Sequence, residues 1–431
     1  MVVEPLTTRK KSRKASALHS LRTEQCVSSK DGIQIPRETL YKVVNWERFF
    51  IGSNCVNILL SVNAAWNIWN FRRPLIEALM ADGHAVTILA PKDDSVPKLE
   101  AMGCSVCHLD MDVKGLSPVQ DVSLILRFRK LFREIRPDAI LSFTIKNNVF
   151  GAVAAKSLRI PFIPNVTGLG TAFLSGAVLE RVATALYKAA FRKLPVVFFQ
   201  NEDDRSLFLD RNLVTDAQAR RVPGSGIDLD RFAAAAFPSD TQAPVFLMIA
   251  RLLRDKGVLE FVDAARAVKQ RHAKARFQLL GATSAENRSA IDRDTVEGWV
   301  REGAIEYLGV TDDVRTAIKA AQCVVLPSYR EGAPRTLIEA AAMARPLIAS
   351  DVPGCRSVVD DGTTGFLCEV RSAESLARAF EDFIALPPQK RTDMGLAGRR
   401  KMEQEFGHDI VVNAYREALQ DLGPVTRGPL A

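Results

Sequence analysis

Residues 56–91 read VNILLSVNAAWNIWNFRRPLIEALMADGHAVTILAP. Its two ends, 56–62 and 84–91, are apolar runs of strand length, while Leu75, Ile76 and Leu79 recur between them at helical spacing before Asp82-Gly83 closes the segment. A strand–helix–strand order argues for parallel strands, because a parallel pair needs a long crossover, usually a helix. The same rhythm continues through CSVCHLDM (104–111), a long helical stretch to Arg136, DAILSF (138–143) and IPFI (160–163). It restarts after residue 240 with PVFLMIAR (244–251), a helix over 256–271, ARFQLLG (275–281), AIEYLG (304–309), QCVVLPS (322–328), the helix TLIEAAAMA (336–344) and PLIAS (346–350). The expected fold is therefore α/β, with two tandem Rossmann-like, doubly wound parallel-sheet domains and a cleft between them. The expected boundaries are a disordered extension over 1–56, a first domain over 57–225, a second over 226–400, and a C-terminal helix over 401–421 packing back towards the first domain. The joint falls near Pro223–Asp240, where Gly, Ser, Asp and Pro cluster.

Composition narrows the function. With 47% hydrophobic and 25% charged residues the 431-residue chain is an ordinary globular protein with ample core. The net charge of +8 is unevenly spread: residues 1–225 carry an excess of ten positive charges and residues 226–431 an excess of two negative ones. Aromatic residues make up only 7% and no nucleic-acid-binding signature occurs, so a nucleic-acid partner is not expected. A basic surface facing anionic lipid remains. The helical stretches containing Arg127-Phe128-Arg129-Lys130-Leu131-Phe132-Arg133 and Tyr187-Lys188-Ala189-Ala190-Phe191-Arg192-Lys193 mix cations with aromatics as a peripheral membrane contact would. No apolar run approaches the roughly 20 residues of a membrane span, and the basic N-terminus has no apolar segment behind it to make a secretory signal. The seven cysteines are odd in number and scattered, as reduced thiols are. Cys104 and Cys107 have no second pair to complete a metal site.

In tandem doubly wound domains ligands bind between the domains, at the carboxyl ends of the strands. The loop after QCVVLPS, Tyr329-Arg330-Glu331-Gly332-Ala333-Pro334-Arg335, runs straight into a helix. Pro334 suits the first helical position, which leaves the N–H groups near Gly332 and Ala333 free for an anion. Glu339 stands in an otherwise apolar stretch, where an ionised carboxylate needs either ligand hydroxyls or an arginine. The loop after PVFLMIA carries Arg251 and Lys256, cations suited to a diphosphate, and Gly281 ends the neighbouring strand, where a nucleotide could approach the backbone closely. Three D-x-D triplets occur, at Asp110/Asp112, Asp228/Asp230 and Asp292/Asp294, close to the number that chance provides in this chain. They do not argue for a metal-dependent transferase.

These residues carry a resemblance. The E-x7-E pair Glu331/Glu339, the loop from Arg251 to Lys256-Gly257, Gly226-Ile227-Asp228 leading to Phe232, and Pro353-Gly354, Asp361-Gly362 and Gly365-Phe366-Leu367 resemble the retaining family-4 glycosyltransferases of GT-B fold. The likeness extends over roughly 57–421. In the front domain Trp69-Asn70-Phe71-Arg72, Thr144-Ile145-Lys146-Asn147-Asn148 and Asn165-Val166-Thr167-Gly168-Leu169-Gly170 are similar to a subgroup of bacterial enzymes that add an N-acetylhexosamine to undecaprenyl-diphosphate-linked sugars. Two departures stand out: no Gly-rich loop follows the first strand, and Thr144 and Lys146 occupy the region where many members carry a histidine.

The resemblance implies that Arg251 and Lys256 bind and stabilise the leaving diphosphate, that Glu331 contacts the donor sugar, and that Glu339 binds the ribose. Lys146 is a candidate for the polarising role in place of a histidine. Gly332, Ala333, Pro334, Gly281, Thr167, Gly168, Asn147 and Arg72 are candidate substrate-binding residues. No metal and no cofactor are expected. The implied activity moves a sugar from a UDP-sugar to a polyprenyl-diphosphate-linked sugar in surface glycan assembly, at the cytoplasmic face of the cell membrane. Two other readings remain at this point: an epimerase or hydrolase of the nucleotide sugar, and a non-catalytic nucleotide-sugar-binding subunit.

Overall fold

A computed structural model describes residues 56–112, 117–169, 177–239, 244–283 and 289–423. All of them lie within one compact unit, Gly52–Ala431. The expected extension 1–56, apart from Val56, falls outside the described residues, as do Cys26, Cys55 and Gly170.

The front half is a seven-stranded sheet, in the order β3-β2-β1-β4-β5-β6-β7, and every described pairing is parallel. Its strands are β1 (Asn57–Ser61), β2 (Ala85–Ala90), β3 (Ser105–His108), β4 (Ala139–Phe143), β5 (Phe162–Val166), β6 (Val197–Phe199) and β7 (Ala219–Arg221). The back half has six parallel strands, in the order β10-β9-β8-β11-β12-β13. These are β8 (Val245–Ile249), β9 (Arg276–Leu280), β10 (Glu306–Tyr307), β11 (Cys323–Leu326), β12 (Leu347–Ser350) and β13 (Gly365–Cys368). In each sheet the order reverses beside its first strand, at β1/β4 and at β8/β11, and the crevice outside those strand ends is where such sheets take ligands.

Each sheet is covered on both faces, so its strands are continuously apolar and their side chains divide between two cores. Leu59 and Ile140 enter one core of the front half, while Ile58, Leu60, Leu141 and Phe143 enter the other. In the back half Phe246, Met248, Cys323 and Val325 face one core and Val245, Leu247, Val324 and Leu326 the opposite one. The helices α4 (Pro118–Ile135), α5 (Ile145–Leu158) and α6 (Ala177–Phe191) cover one face of the front sheet, with α5 packed against both α4 and α6. Here one expectation is corrected. Phe128, Phe132, Tyr187 and Phe191 lie in the core, spaced four apart along their helices, because their rings fill the layer against the sheet. Among the described residues, the large apolar side chains left exposed on these two helices are Val119, Val122 and Leu126 on α4 and Val182 and Leu186 on α6, beside exposed Lys130, Arg133, Arg181, Lys188, Arg192 and Lys193.

The C-terminal segment forms three helices, α13 (Ala373–Ala385), α14 (Pro388–Glu405) and α15 (His408–Gln420), broken at Pro387-Pro388 and at Gly407. The first two belong to the back half, where α13 packs against α8 (Val258–Arg271) and α14 against α11 (Arg335–Ala342). The third crosses to the front half. It packs on α2 (Arg73–Ala81) and places Val411, Tyr415 and Ala418 in the core that contains Leu60 and Phe143. The Tyr415 hydroxyl accepts a 2.8 Å hydrogen bond from Asn165 Nδ2, and Arg416 pairs with Asp82 at 2.7 Å.

Candidate functional site

The site begins where β11 ends. The chain turns through Tyr329–Pro334 into α11, whose N-cap is Pro334 at φ −73° and ψ 99°. Pro334 thus stands one position before the helix rather than at its first residue. Its ring suits the φ, but its extended ψ leaves the carbonyl to accept from Leu337 N at 3.0 Å and Ile338 N at 3.2 Å. Gly332 has no room for a side chain: a Cβ there would stand 2.2 Å from the carbonyl oxygen of Thr167 and 3.4 Å from Gly168 Cα. The loop after β5 and the loop after β11 are therefore in direct contact across the cleft. Ala333 lies against Gly224, where an added Cβ would meet its own at 2.9 Å.

Glu331 Oε1 accepts from Lys256 Nζ at 2.5 Å, and both side chains are largely buried. Lys256 ends a 3-10 turn (Arg254–Lys256) just after β8, so the two loops meet at the switch point of the back sheet. Arg251, two residues beyond the end of β8 in the same loop, is exposed and forms no ion pair among the described residues. Gly281, at φ +151°, lets the end of β9 approach β8 closely, since a Cβ there would fall 1.8 Å from Ala250 O. The residue next to Ala250 is Arg251.

Glu339 lies about one turn along α11, four residues after Arg335. Arg335 Nε donates to its Oε1 at 2.7 Å and Arg335 Nη1 to Ser225 Oγ at 3.0 Å, while the guanidinium lies 5.1 Å from the Phe71 ring centroid. Burial pushes the Glu339 carboxyl above the ordinary carboxylate range, the Arg335 and Arg231 charges pull it part of the way back, and Asp313 adds to the rise. Arg72, from the front half, is 4% exposed and sits 4.4 Å from the Phe143 ring centroid. Its Nη1 reaches Gly224 O at 3.4 Å, and its Nε has no hydrogen-bond partner among the described residues. Burial lowers its pKa, with the neighbouring Arg335 charge acting in the same direction.

The remaining candidates stay within the front half. Lys146 Nζ donates to Asp112 O at 2.9 Å and pairs with Asp121 at 3.3 Å, in a polar cavity of about 180 Å³ lined also by Asp110, Gln120, Leu124 and Arg127. No contact joins it to Lys256 or Glu331. Asn147 is buried, donating to Ser61 Oγ at 2.9 Å and accepting from Thr144 Oγ1 at 3.0 Å. Thr144 itself holds φ 76° and ψ 150°, a strained conformation for a β-branched residue, at the turn from β4 into α5. Two of the D-x-D triplets are turn chemistry: Asp228 accepts from the backbone of Asp230 and Arg231, and Asp292 caps the helix after it through Thr295.

Several residues that the sequence reading passed over belong to this site. Arg335 stood inside the motif, but only as a spacer between the glutamates. Arg330 Nη2 donates to Asp204 Oδ1 at 2.5 Å, and Asn201 Nδ2 donates to Gly332 O at 2.9 Å. Both front-half partners open α7 (Glu202–Asp210), where Asn201 is the N-cap and accepts from Asp204 N. In sequence they read as helix-start chemistry and nothing more.

Residues 243–385 match the family described as glycosyl transferases group 1, and residues 68–224 match the glycosyl transferase 4-like domain. The chain is 29% identical over 371 residues to a Campylobacter jejuni N,N'-diacetylbacillosaminyl-diphospho-undecaprenol alpha-1,3-N-acetylgalactosaminyltransferase, covering 82% of this chain and 95% of that one. It is 25% identical to the Escherichia coli UDP-Gal:alpha-D-GlcNAc-diphosphoundecaprenol alpha-1,3-galactosyltransferase, over 62% of this chain and 71% of the relative. Among solved structures, sucrose-phosphate synthase of Thermosynechococcus elongatus superposes with a TM-score of 0.70 at 20% identity, covering 86% of this chain and all of its own. The Anabaena protein HepE, solved with UDP-glucose, gives 0.68 at 18% identity over 85% of this chain and 99% of its own. The two tandem sheets are thus those of the GT-B fold.

Proposed function

The chain belongs to the group 1 and 4-like glycosyltransferases, and from that premise we propose that it moves a sugar, an N-acetylhexosamine in the first instance, from a UDP-sugar to a polyprenyl-diphosphate-linked sugar, with retention at the anomeric carbon and without a metal. In this reading residues 226–400 take the donor and residues 57–225 the acceptor. The observation that carries it is the Lys256–Glu331 pair, 2.5 Å apart at the switch point, with the backbone of Thr167 and Gly168 pressed against the adjoining Gly332. The two relatives named above supply the substrate class: both act on undecaprenyl-diphosphate-linked sugars.

The chemistry follows from the charges. Breaking the bond between the anomeric carbon and the β-phosphate oxygen places negative charge on that oxygen, and Lys256 and Arg251 are the cations at the strand ends that meet it. When the sugar arrives, Glu331 exchanges its lysine partner for sugar hydroxyls, which frees the ammonium for the phosphate. Glu339 offers its second carboxylate oxygen to the ribose. Arg72, buried with no carboxylate partner among the described residues, adds positive potential beside Arg335 at the joint of the two halves. Lys146, already bound to Asp112 and Asp121, serves the acceptor side rather than the leaving group.

The exposed apolar and cationic side chains of α4 and α6 support a peripheral contact with an anionic membrane, its cytoplasmic face in this reading. No described helix is long and apolar enough to cross a membrane.

The test is transfer from a panel of UDP-sugars to a short-chain polyprenyl-diphosphate N-acetylhexosamine, in EDTA, with the anomeric configuration of the product read by NMR. Transfer from one UDP-N-acetylhexosamine with retained configuration is expected. Glu331→Gln is expected to lower kcat by roughly a hundredfold while UDP affinity stays within about threefold. Inversion, a strict metal requirement, or equal turnover without acceptor would each remove the corresponding part of the reading.

A further inference from the structure

Glu331 is the donor-side carboxylate in the function proposed above, yet its two neighbours in the chain are held by the other half of the molecule. Arg330 Nη2 donates to Asp204 Oδ1 at 2.5 Å, and the carbonyl of Gly332 accepts from Asn201 Nδ2 at 2.9 Å. Both partners open α7, and Asn201 ties them together by donating to Asp204 Oδ2 at 3.1 Å and accepting from Asp204 N at 2.8 Å. On this basis we propose that Asn201 and Asp204 are positioning residues for the transfer: from the acceptor-side half they fix the loop on either side of Glu331, so that its carboxylate is aimed at the donor sugar only while the two halves are closed on each other.

The physical argument is the burial of Asp204. Its residue is 1% exposed, and a carboxylate removed from water is strongly unfavourable unless charge and hydrogen bonds replace the water. Asn201 supplies one neutral donor from the same half, but the compensating positive charge comes from Arg330 of the other half. Asp203 beside it is a further acid, Tyr187 lies close enough to be affected by its charge, and Asp203 is itself bridged to Arg356 of the back half at 3.0 Å. Separating the halves would leave Asp204 without its cation, so the closed arrangement is the one in which this charge is satisfied. Burial already holds the Asp204 carboxyl above the ordinary range, with Arg330 working against the rise. The backbone packing agrees, because Thr167 O occupies the space where a Gly332 side chain would stand. Glu331 is thereby gripped from its own half by Lys256 and flanked from the other by two side chains that bond the loop around it.

A positioning role separates rate from binding. Asp204→Asn, Arg330→Gln and Asn201→Ala, with the double variant Asp204→Asn/Arg330→Gln, are to be made in the full chain. Transfer is followed with a UDP-N-acetylhexosamine and the short-chain acceptor, and UDP alone serves as the binding probe. Each single variant is expected to lower kcat about tenfold or more, the loss typical of a catalytic group displaced by a fraction of an ångström to an ångström. The Kd for UDP should stay within about threefold, since Glu339 and the diphosphate cations belong to the back half. The double variant should be no slower than about the worse single one, because both substitutions break the same contact. Arg330→Lys should recover part of the rate. Arg330 is partly exposed, so Arg330→Gln reports even where an Asp204 variant folds poorly.

A kcat within about twofold of the parent in Arg330→Gln and Asn201→Ala overturns the inference. So does a double variant whose loss is the product of the two single losses, or a loss of UDP affinity that runs parallel to kcat. Glu331→Gln in the same series keeps the two proposals apart. If it is slow while Arg330→Gln is normal, the function stands and the positioning role falls; if Glu331→Gln itself is normal, both fall.

Discussion

In the function proposed above, Glu339 sets ligand binding against stability in a single side chain. Its carboxyl is raised above the ordinary 4.5, chiefly by burial, even with Arg335 donating to it at 2.7 Å. An acid raised in the native state holds its proton more readily folded than unfolded. Its favourable contribution is complete below about pH 4.5 and is lost as pH rises through the native value, so at neutral pH the ionised group is a net burden. Glu339→Gln is therefore expected to keep or raise the Tm at pH 7, by up to a few degrees, and the gap to the parent should narrow as pH falls towards 4.5. UDP affinity should drop about tenfold or more, the value of charge-assisted hydrogen bonds to ribose. A variant with clearly lower Tm at pH 7 would show that Glu339 stabilises the ligand-free fold. Glu339 is visible in the sequence because a lone acid in LIEAAAMA needs either a ligand or an arginine, whereas Arg335, two residues before that apolar run, looks like an ordinary first-turn side chain.

At the scale of elements, the proposed membrane contact puts two faces of α4 to different uses. Leu124, Phe128 and Phe132 turn inward to the sheet, while Val119, Val122 and Leu126 are 80%, 59% and 60% exposed with Lys130 and Arg133 further along. Exposed apolar side chains followed by exposed cations along one helix suit the headgroup region of anionic lipid. Val122→Glu with Leu126→Glu is expected to weaken sedimentation with vesicles containing anionic lipid by about tenfold, while turnover of a short-chain acceptor in detergent stays unchanged. Unaltered vesicle binding would move the membrane contact elsewhere. The helix was readable as amphipathic, but which side chains faced out was not, since an aromatic beside a cation reads equally well as core or as surface. The buried strands were more legible: a parallel strand covered on both faces is apolar throughout, so VNILLS, AILSF and VFLMI could be placed from composition alone. The short helix α1 (Ala65–Phe71) was missed, because NAAWNIWNF has no regular apolar period.

At the scale of the molecule, contacts between the halves were illegible for a simple reason. Asp204 and Arg330 are 126 residues apart, Asn201 and Gly332 are 131 apart, and nothing in either local sequence names the other. A C-terminal helix over 401–421 packing back towards the front half was expected, but the side chains that seat α15 there were not legible, since packing sets them. Tyr415 is fully buried among Phe143, Phe198 and Arg72, and its hydroxyl is bonded to Asn165. Tyr415→Ala is expected to lower the stability by about 3–5 kcal/mol, the range for deleting a buried aromatic, and Tyr415→Phe by about 1 kcal/mol for the lost hydrogen bond. Urea unfolding followed by tryptophan fluorescence would measure both, and a Tyr415→Ala loss below about 1 kcal/mol would show that α15 is merely laid on the surface. Its placement also has a consequence for how the protein is made. Residues 57–225 leave the ribosome before α15 does, and the core that contains Phe143 lacks Val411, Tyr415 and Ala418 until residues 408–420 have been made. At ordinary elongation rates that gap is roughly 10 to 40 seconds. The half synthesised first is the half completed last, and through that interval it carries an unfilled apolar face that the nascent chain or a chaperone must shield.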